Sequence, residues 1–361
     1  MDPHAAASIF WRSRYGGGGV SVQSINPTAV VRSARRIPQR RLVLVAGGLG
    51  AALFGLFALR VLGGDYIITL PDFFRILGGE EIPGATFILM ESKLPRAVLG
   101  VLAGVAFGAA GAIFQSTLRN PLASPDMLGI SLGASASAVF AIVVLSLDGS
   151  ALSVAGTIGA LLTAVVIRLV AGSDGGYRLV LVGVTAAAGL VAVIQYLFTR
   201  ANESDAQLAL RWMTGSLNAA AWPTIRILLV ALVILLPLVA WTVKSQRVLE
   251  LGPDVANALG VTHRYADLLL LLAVLLCALA VAATGPVAFV AFVAGPIARV
   301  LNGGRTTILG AALVGAVVMV GADYVAAYGF PGTNLPVGVV TGAFGAPFLL
   351  WLLASGRAGR R

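Results

Sequence analysis

The chain is poor in the residues from which most soluble active sites are built. Its 361 residues include two histidines (His4 and His263), two lysines (Lys93 and Lys244) and one cysteine (Cys277). Two distant histidines exclude an H-E-x-x-H metalloprotease centre and any multi-histidine metal site. Neither lysine stands in a G-x-x-x-x-G-K-[ST] stretch, so the chain has no Walker A loop and is not itself a P-loop ATPase. A lone cysteine cannot form an intrachain disulfide; Cys277 lies in an apolar run and reads as a small buried hydrophobe. Charge is scarce as well. Asp, Glu, Lys and Arg make up 11% of the chain, against about 25% in soluble domains.

What is abundant is apolar: 58% of residues are hydrophobic, and the mean hydropathy is +0.93. This is the composition of an all-α polytopic membrane protein. At roughly 20 residues per span, the chain has room for about ten transmembrane helices. The pattern predicts them at 42–62, 94–117, 127–147, 151–171, 179–199, 221–243, 266–284, 286–301, 306–328 and 336–354. Pro286 and Pro296 should leave the eighth short or kinked. The 44 glycines suit helices that approach closely in lipid.

The net charge of +10 is spread over loops and tails, which favours positive-inside topology over nucleic-acid binding. With a cytoplasmic N-terminus, eighteen Lys and Arg fall inside and seven outside, so both termini are expected in the cytoplasm. Residues 1–41 then read as a basic, disordered cytoplasmic tail without a cleavable signal. Residues 42–354 form the membrane domain, and 355–361 a second basic tail. The spans hold few ionisable groups; Asp323 is the clearest, with Asp267 and Arg299 near ends. Ion-coupled carriers usually need intramembrane carboxylates or histidines, so the driving energy is expected to come from another subunit.

Two stretches carry the functional reading. In Lys93–Ser135, Gly100, Gly104, Gly108 and Gly111 recur at fours and threes and share one helix face, which places that helix inside a bundle. The polar break N-P-L-A-S-P-D follows, with Asp126 expected as an N-cap for the next helix. The loop 244–264, KSQRVLELGPDVANALGVTHR, has an apolar side made of Leu249, Leu251, Val255, Leu259 and Val261. Gly252-Pro253 and Gly260 should divide it into two short helices. It reads either as a docking surface for a soluble partner or as an interfacial helix on lipid. Trp212 and Trp222 read as interface anchors, and Asp323 as a structural partner for a neighbouring helix.

The motifs L-P-R (Leu94–Arg96), R-N-P-L-A-S-P-D-x-L-G (Arg119–Gly129), W-x-x-G-S-L (from Trp212), L-E-L-G-x-x-x-A-x-x-L-G-V (Leu249–Val261), G-A-D (Gly321–Asp323) and L-P-V-G-V-V-T-G-A-F-G (from Leu335) occur in an order that resembles the iron-siderophore and vitamin B12 type of ABC importer permease. The resemblance runs from about residue 40 to 354, and is greatest to subunits that carry ferric siderophores, catecholate ones above all. It implies a type II importer permease in a bacterial cytoplasmic membrane. Such a subunit pairs with a second permease subunit, here expected to be a heterodimeric partner, and with two ATPases that hold ATP and Mg. It receives substrate from an extracytoplasmic siderophore-binding protein and binds no cofactor of its own. It further implies that Leu249, Leu251, Gly252, Ala256, Leu259, Gly260 and Val261, within the coupling segment 245–264, engage the ATPase. Lys93 and Arg96 would meet the binding protein from the outer surface, or Arg96 would anchor a helix end at the headgroups. Two departures stand out: Gly295-Pro296 replaces a Pro-His pair of many relatives, and Ala326 and Ala327 follow G-A-D where some carry Arg. An importer of the same fold for cobalamin or haem, and an ion-coupled secondary carrier, are the alternative readings.

Overall fold

In the computed structural model of the chain, residues 27–172, 176–249, 251–261, 263–330 and 332–355 are described. Among them every regular element is helical. Helix α1 covers Pro27–Leu62 and α2 Leu70–Leu77; α3 runs Ala85–Thr117, with a π-helical turn at Ile88–Lys93. Then come α4 (Ile130–Val143), α5 (Ser150–Ala171), α6 (Gly176–Phe198), α7 (Glu203–Met213) and α8 (Trp222–Leu249). The chain continues through α9 (Pro253–Ala258), α10 (His263–Thr284), α11 (Val290–Leu301), α12 (Ile308–Tyr328) and α13 (Val337–Ala354). Seven are long and apolar enough to cross a membrane: α1, α3, α5, α6, α8, α10 and α12. Shorter apolar stretches coincide with α4, α11 and α13, at the places where the sequence predicts the other three spans.

Some boundaries differ from expectation. The first helix begins at Pro27, upstream of the predicted span, and continues through Pro38; residues 1–26 lie outside the described residues. The segment 245–264 holds one short helix, α9, where two were expected. Helix α8 carries Pro237 inside it and still runs on to Leu249, so Gly252 and Pro253 start the one short helix among the described residues of the segment. The eighth span is short, as its prolines require: α11 starts after Phe289, and Pro296 sits inside it.

Helix α3 is the axis of the membrane unit. It packs against α12, α10, α11 and α8, and its glycines explain how. A methyl added at Gly104 would lie 2.5 Å from the Gly315 carbonyl oxygen; at Gly108 it would lie 2.2 Å from that of Ala311, and at Gly111 1.8 Å from that of Ala291. All three contacts are with backbone, which cannot swing aside, so only hydrogen fits at these positions. Gly100 faces the Leu217 and Val320 side chains instead. The same economy joins α4 to α5, where a methyl on Gly159 would meet the Gly133 carbonyl at 2.4 Å. Around this axis lies the largest cluster of buried side chains, including Phe107, Phe114, Leu228, Leu269, Leu276, Met319 and Cys277. Helix α1 is the opposite case. From Arg40 to Leu59 none of its residues is buried.

Candidate functional site

At the head of α3 the chain gathers charge. Asp323 of α12 is 1% exposed, and its carboxylate takes hydrogen bonds from two helices. Arg60 Nε, at the end of α1, donates to Oδ2 at 2.7 Å; Arg96 Nε, on α3, donates to Oδ1 at 2.8 Å and to Oδ2 at 3.0 Å. Arg60 also donates to the Tyr328 hydroxyl at 3.3 Å, with its guanidinium 5.5 Å from that ring's centre. Arg96 reaches Asn334 Oδ1 at 3.5 Å. One carboxylate thus holds two arginines from elements far apart in sequence, the structural role foreseen for Asp323. Lys93 sits one turn earlier, 4% exposed, and its ammonium donates to the Gly63 and Tyr66 carbonyl oxygens. The π turn at Ile88–Lys93 sets that direction, since one extra residue in the turn rotates the side chains that follow.

Lys93 and Arg96 are therefore engaged inside the subunit, whereas the sequence places them on the outer surface facing a partner. The signal that could have revealed this is arithmetic: a lone membrane carboxylate near two span-end arginines needs a countercharge, and they need it. Arg60 was the member that sequence reasoning missed. Cations that do face outward at this end include Arg211, at the last turn of α7, and Arg200, which lies over the Tyr196 ring at 5.6 Å. Trp222 donates its indole N–H to the Met90 carbonyl oxygen at 2.8 Å, and so ties α8 to the π turn.

At the other end of α3 the break adopts a defined shape. Arg119 has a positive φ of 50° and Asn120 Oδ1 accepts from the Leu122 N–H at 2.9 Å, which closes the turn after the helix. Asp126 is not the cap of α4. Gly129, with φ of 77°, occupies that position, and Asp126 Oδ1 instead accepts from the Ser131 hydroxyl, while Oδ2 is buried without a protein partner. Burial pushes the Asp126 carboxyl up to about 6, against a smaller lowering by the Ser131 bond.

This end also receives the segment 245–264. Gly252 lies close enough to Arg119 that a methyl there would be 3.5 Å from Nη1. Leu251, Arg119, Gln115, Pro296, Arg299 and Trp351 line one cavity of about 440 Å³. Gln115 donates to the Phe292 carbonyl at 2.9 Å, and a methyl on Gly295 would strike its Oε1 at 1.9 Å. The Gly295 that departs from the Pro-His pair is what makes room for this glutamine. In the segment itself Ala256 is fully buried and Leu249 partly so. Leu251, Val255 and Leu259 are 62%, 46% and 60% exposed. The Val261 N–H returns to the Ala256 carbonyl at 2.8 Å, and Gly260 supplies a positive φ of 79° that lets it do so. The result is a short knuckle pinned by Ala256, with three leucine- or valine-sized side chains facing out.

The chain is 36% identical over 324 residues to the ferric enterobactin transport system permease protein FepG of Escherichia coli (strain K12), covering 89% of this chain and 97% of that protein. It is 35% identical to the Fe(3+) dicitrate transport system permease protein FecD of the same organism, over 74% of this chain and 85% of the relative. To the achromobactin transport system permease protein CbrC of Dickeya dadantii (strain 3937) it is 36% identical, over 81% and 86%. Among solved structures, a metal-chelate type ABC transporter in an inward-facing conformation superposes with a TM-score of 0.77 at 21% identity, covering 86% of this chain and 99% of that one. That likeness shows that the two chains share a fold. The model of the FecCD transport family matches residues 52–355, and the chain belongs to that family.

Proposed function

We propose that the chain is the membrane-spanning subunit of an ATP-driven importer that carries a ferric siderophore inward across a bacterial cytoplasmic membrane. The observation that carries this reading is near-full-length similarity to permeases named for iron chelates of different chemistry, enterobactin, dicitrate and achromobactin. The absence of a Walker A loop from the sequence assigns ATP and Mg to two partner ATPases. The ten apolar helices are read as ten spans with both termini cytoplasmic, on the strength of the Lys and Arg asymmetry. A second, homologous permease subunit completes the pathway.

In this reading the knuckle Leu249–Val261 is the coupling element. Leu251, Val255 and Leu259 seat in the ATPase; Gly252, Ala256, Gly260 and Val261 hold their geometry. On the outer face, Lys93 and Arg96 keep the surface in shape for the binding protein, and the exposed Arg200 and Arg211 offer the charges that steer it. Rim charges of this kind act mainly on orientation and association rate.

The decisive experiment is uptake into vesicles containing the assembled complex, with the ferric complexes of a catecholate, a citrate and a hydroxamate chelator compared with cobalamin and haem. ATP-dependent uptake of a ferric chelate is expected. Uptake by this chain without ATPases, driven by a proton gradient, would overturn the reading. Leu251→Asp with Leu259→Asp changes only exposed side chains, so it should abolish co-purification with the ATPase while the chain stays folded and inserted; unchanged co-purification would remove the knuckle from its role.

A further inference from the structure

Helix α2 offers an interaction surface that transport does not account for. It is well made for its size. The Thr69 hydroxyl caps its start by accepting from the Asp72 N–H at 3.3 Å, Pro71 stands in its first turn, and Gly78 ends it. Phe73 and Ile76 turn inward and join a small core with Val61, Leu89 and Ala97. Leu70, Phe74 and Leu77, spaced by four and three, form one helical stripe. That stripe is bare: the three are 59%, 66% and 50% exposed, and Ile67 before the helix and Phe87 after it are 75% and 69% exposed. Asp72 and Arg75 fall on the far side of the helix from the stripe.

We propose that α2 is an interfacial anchor, lying in the plane of the lipid headgroups with Leu70, Phe74 and Leu77 dipped into the acyl boundary. Three features select lipid as the occupant. Residues 63–69 link α2 directly to the end of α1, and 78–84 link it to the start of α3, so it is held at the level where two spans leave the bilayer. Helix α1, to which α2 is linked, is itself apolar and exposed, with Phe54 75% and Leu59 44% exposed; that surface of a span faces lipid. Finally, the nearby arginine is held by the segment's own acids. Arg75 donates to both carboxylate oxygens of Glu80, through Nε at 2.7 Å and through Nη2, and lies 3.7 Å from Asp72. A soluble partner would find apolar side chains here with the neighbouring arginine already satisfied, whereas an interfacial helix needs an apolar face below and a polar face above. The placement does not depend on which leaflet is concerned.

The buried Cys277 allows a clean test. In a Cys277→Ala background, nitroxide labels are placed singly through Leu70→Cys, Phe74→Cys and Leu77→Cys, and on the polar side through Asp72→Cys and Arg75→Cys. The full chain is reconstituted in vesicles of phosphatidylcholine and phosphatidylglycerol. Paramagnetic relaxation is read with oxygen, which concentrates in lipid, and with a water-soluble nickel chelate. Labels at 70, 74 and 77 should respond more to oxygen, and those at 72 and 75 more to nickel. Equal nickel access at all five would place α2 in water and overturn the proposal. Shielding of 70, 74 and 77 from both agents would overturn it in favour of a protein occupant.

Discussion

Replacing Asp323 by Asn is the most informative single change in this chain. Asparagine keeps the shape and one acceptor, but it leaves Arg60 and Arg96 facing a neutral amide at the distances now occupied by the carboxylate, 2.7–3.0 Å. Removing one partner of a buried ion pair costs about 3–5 kcal/mol, because the remaining charge stays desolvated without compensation. Here two cations remain, so the upper part of that range applies. Arg96→Gln is a different perturbation: it removes the surplus cation and leaves Arg60 and Asp323 as a one-to-one pair. Its cost should be nearer that of one charged hydrogen bond, about 1.5–3 kcal/mol. The half-exposed pair Arg168–Asp267, 2.8 Å apart with side chains 36% and 39% exposed, supplies a control. Asp267→Asn should cost about 1 kcal/mol or less, since solvent screens that pair. Cys277 is fully buried and the sole cysteine, so its reaction with a thiol-sensitive dye reports unfolding directly. At about 2–4 °C per kcal/mol, Asp323→Asn should melt on the order of 10 °C below wild type, with Arg96→Gln between it and Asp267→Asn. A wild-type melting point for Asp323→Asn, or a larger loss for Arg96→Gln, would refute the assignment of net positive charge to this cluster.

Two further outcomes follow from packing and burial. Gly111→Ala forces a methyl onto the Ala291 carbonyl and should cost about 1–3 kcal/mol or more. Gly342→Ala, with no atom within 4 Å of the new methyl, should be neutral or stabilise by less than about 1 kcal/mol; paired melting curves check the difference in sign. Asp126 is held near 6 against an ordinary 3.8, so the native state keeps a proton that the unfolded chain releases. Its contribution is complete below pH 4 and is lost as pH rises through 6, by roughly 3 kcal/mol. Asp126→Asn cannot ionise. Tryptophan-monitored melts from pH 4.5 to 7.5 should therefore decline for wild type and lack that decline in the variant.

The helices of the membrane unit were legible because their signal is local. Apolar length, glycine spacing and prolines act within one segment, and so α3 with its Gly104, Gly108 and Gly111 face reads correctly without any partner in view. Pro286 and Pro296 marked a short eighth helix for the same reason. The breakdown came where side chains reach between segments. Lys93 and Arg96 read as outward charges because their acceptors, the Gly63 and Tyr66 carbonyls and Asp323, lie at other points of the chain. Asp126 after Pro125 has the sequence of a cap, yet Gly129 can take the left-handed turn and displaces it. The segment 245–264 was recognised by composition, but its division was not: α8 passes through Pro237 and takes up the first residues of the segment, ending at Leu249.

The Arg60–Asp323 bond joins residues 263 apart in sequence, and this separation sets an order of events during synthesis. Helix α1 precedes α12 in the chain and has no buried residue between Arg40 and Leu59 to hold it against others. Its arginine must wait at the interface, head in the water layer, until α12 has been made and inserted. Helix α1 thus precedes α12 into the membrane and is fastened only once α12 has arrived. A chain truncated before Asp323 would carry Arg60 and Arg96 with no acid to close on, and the quality-control machinery of the cell would meet it as an open bundle.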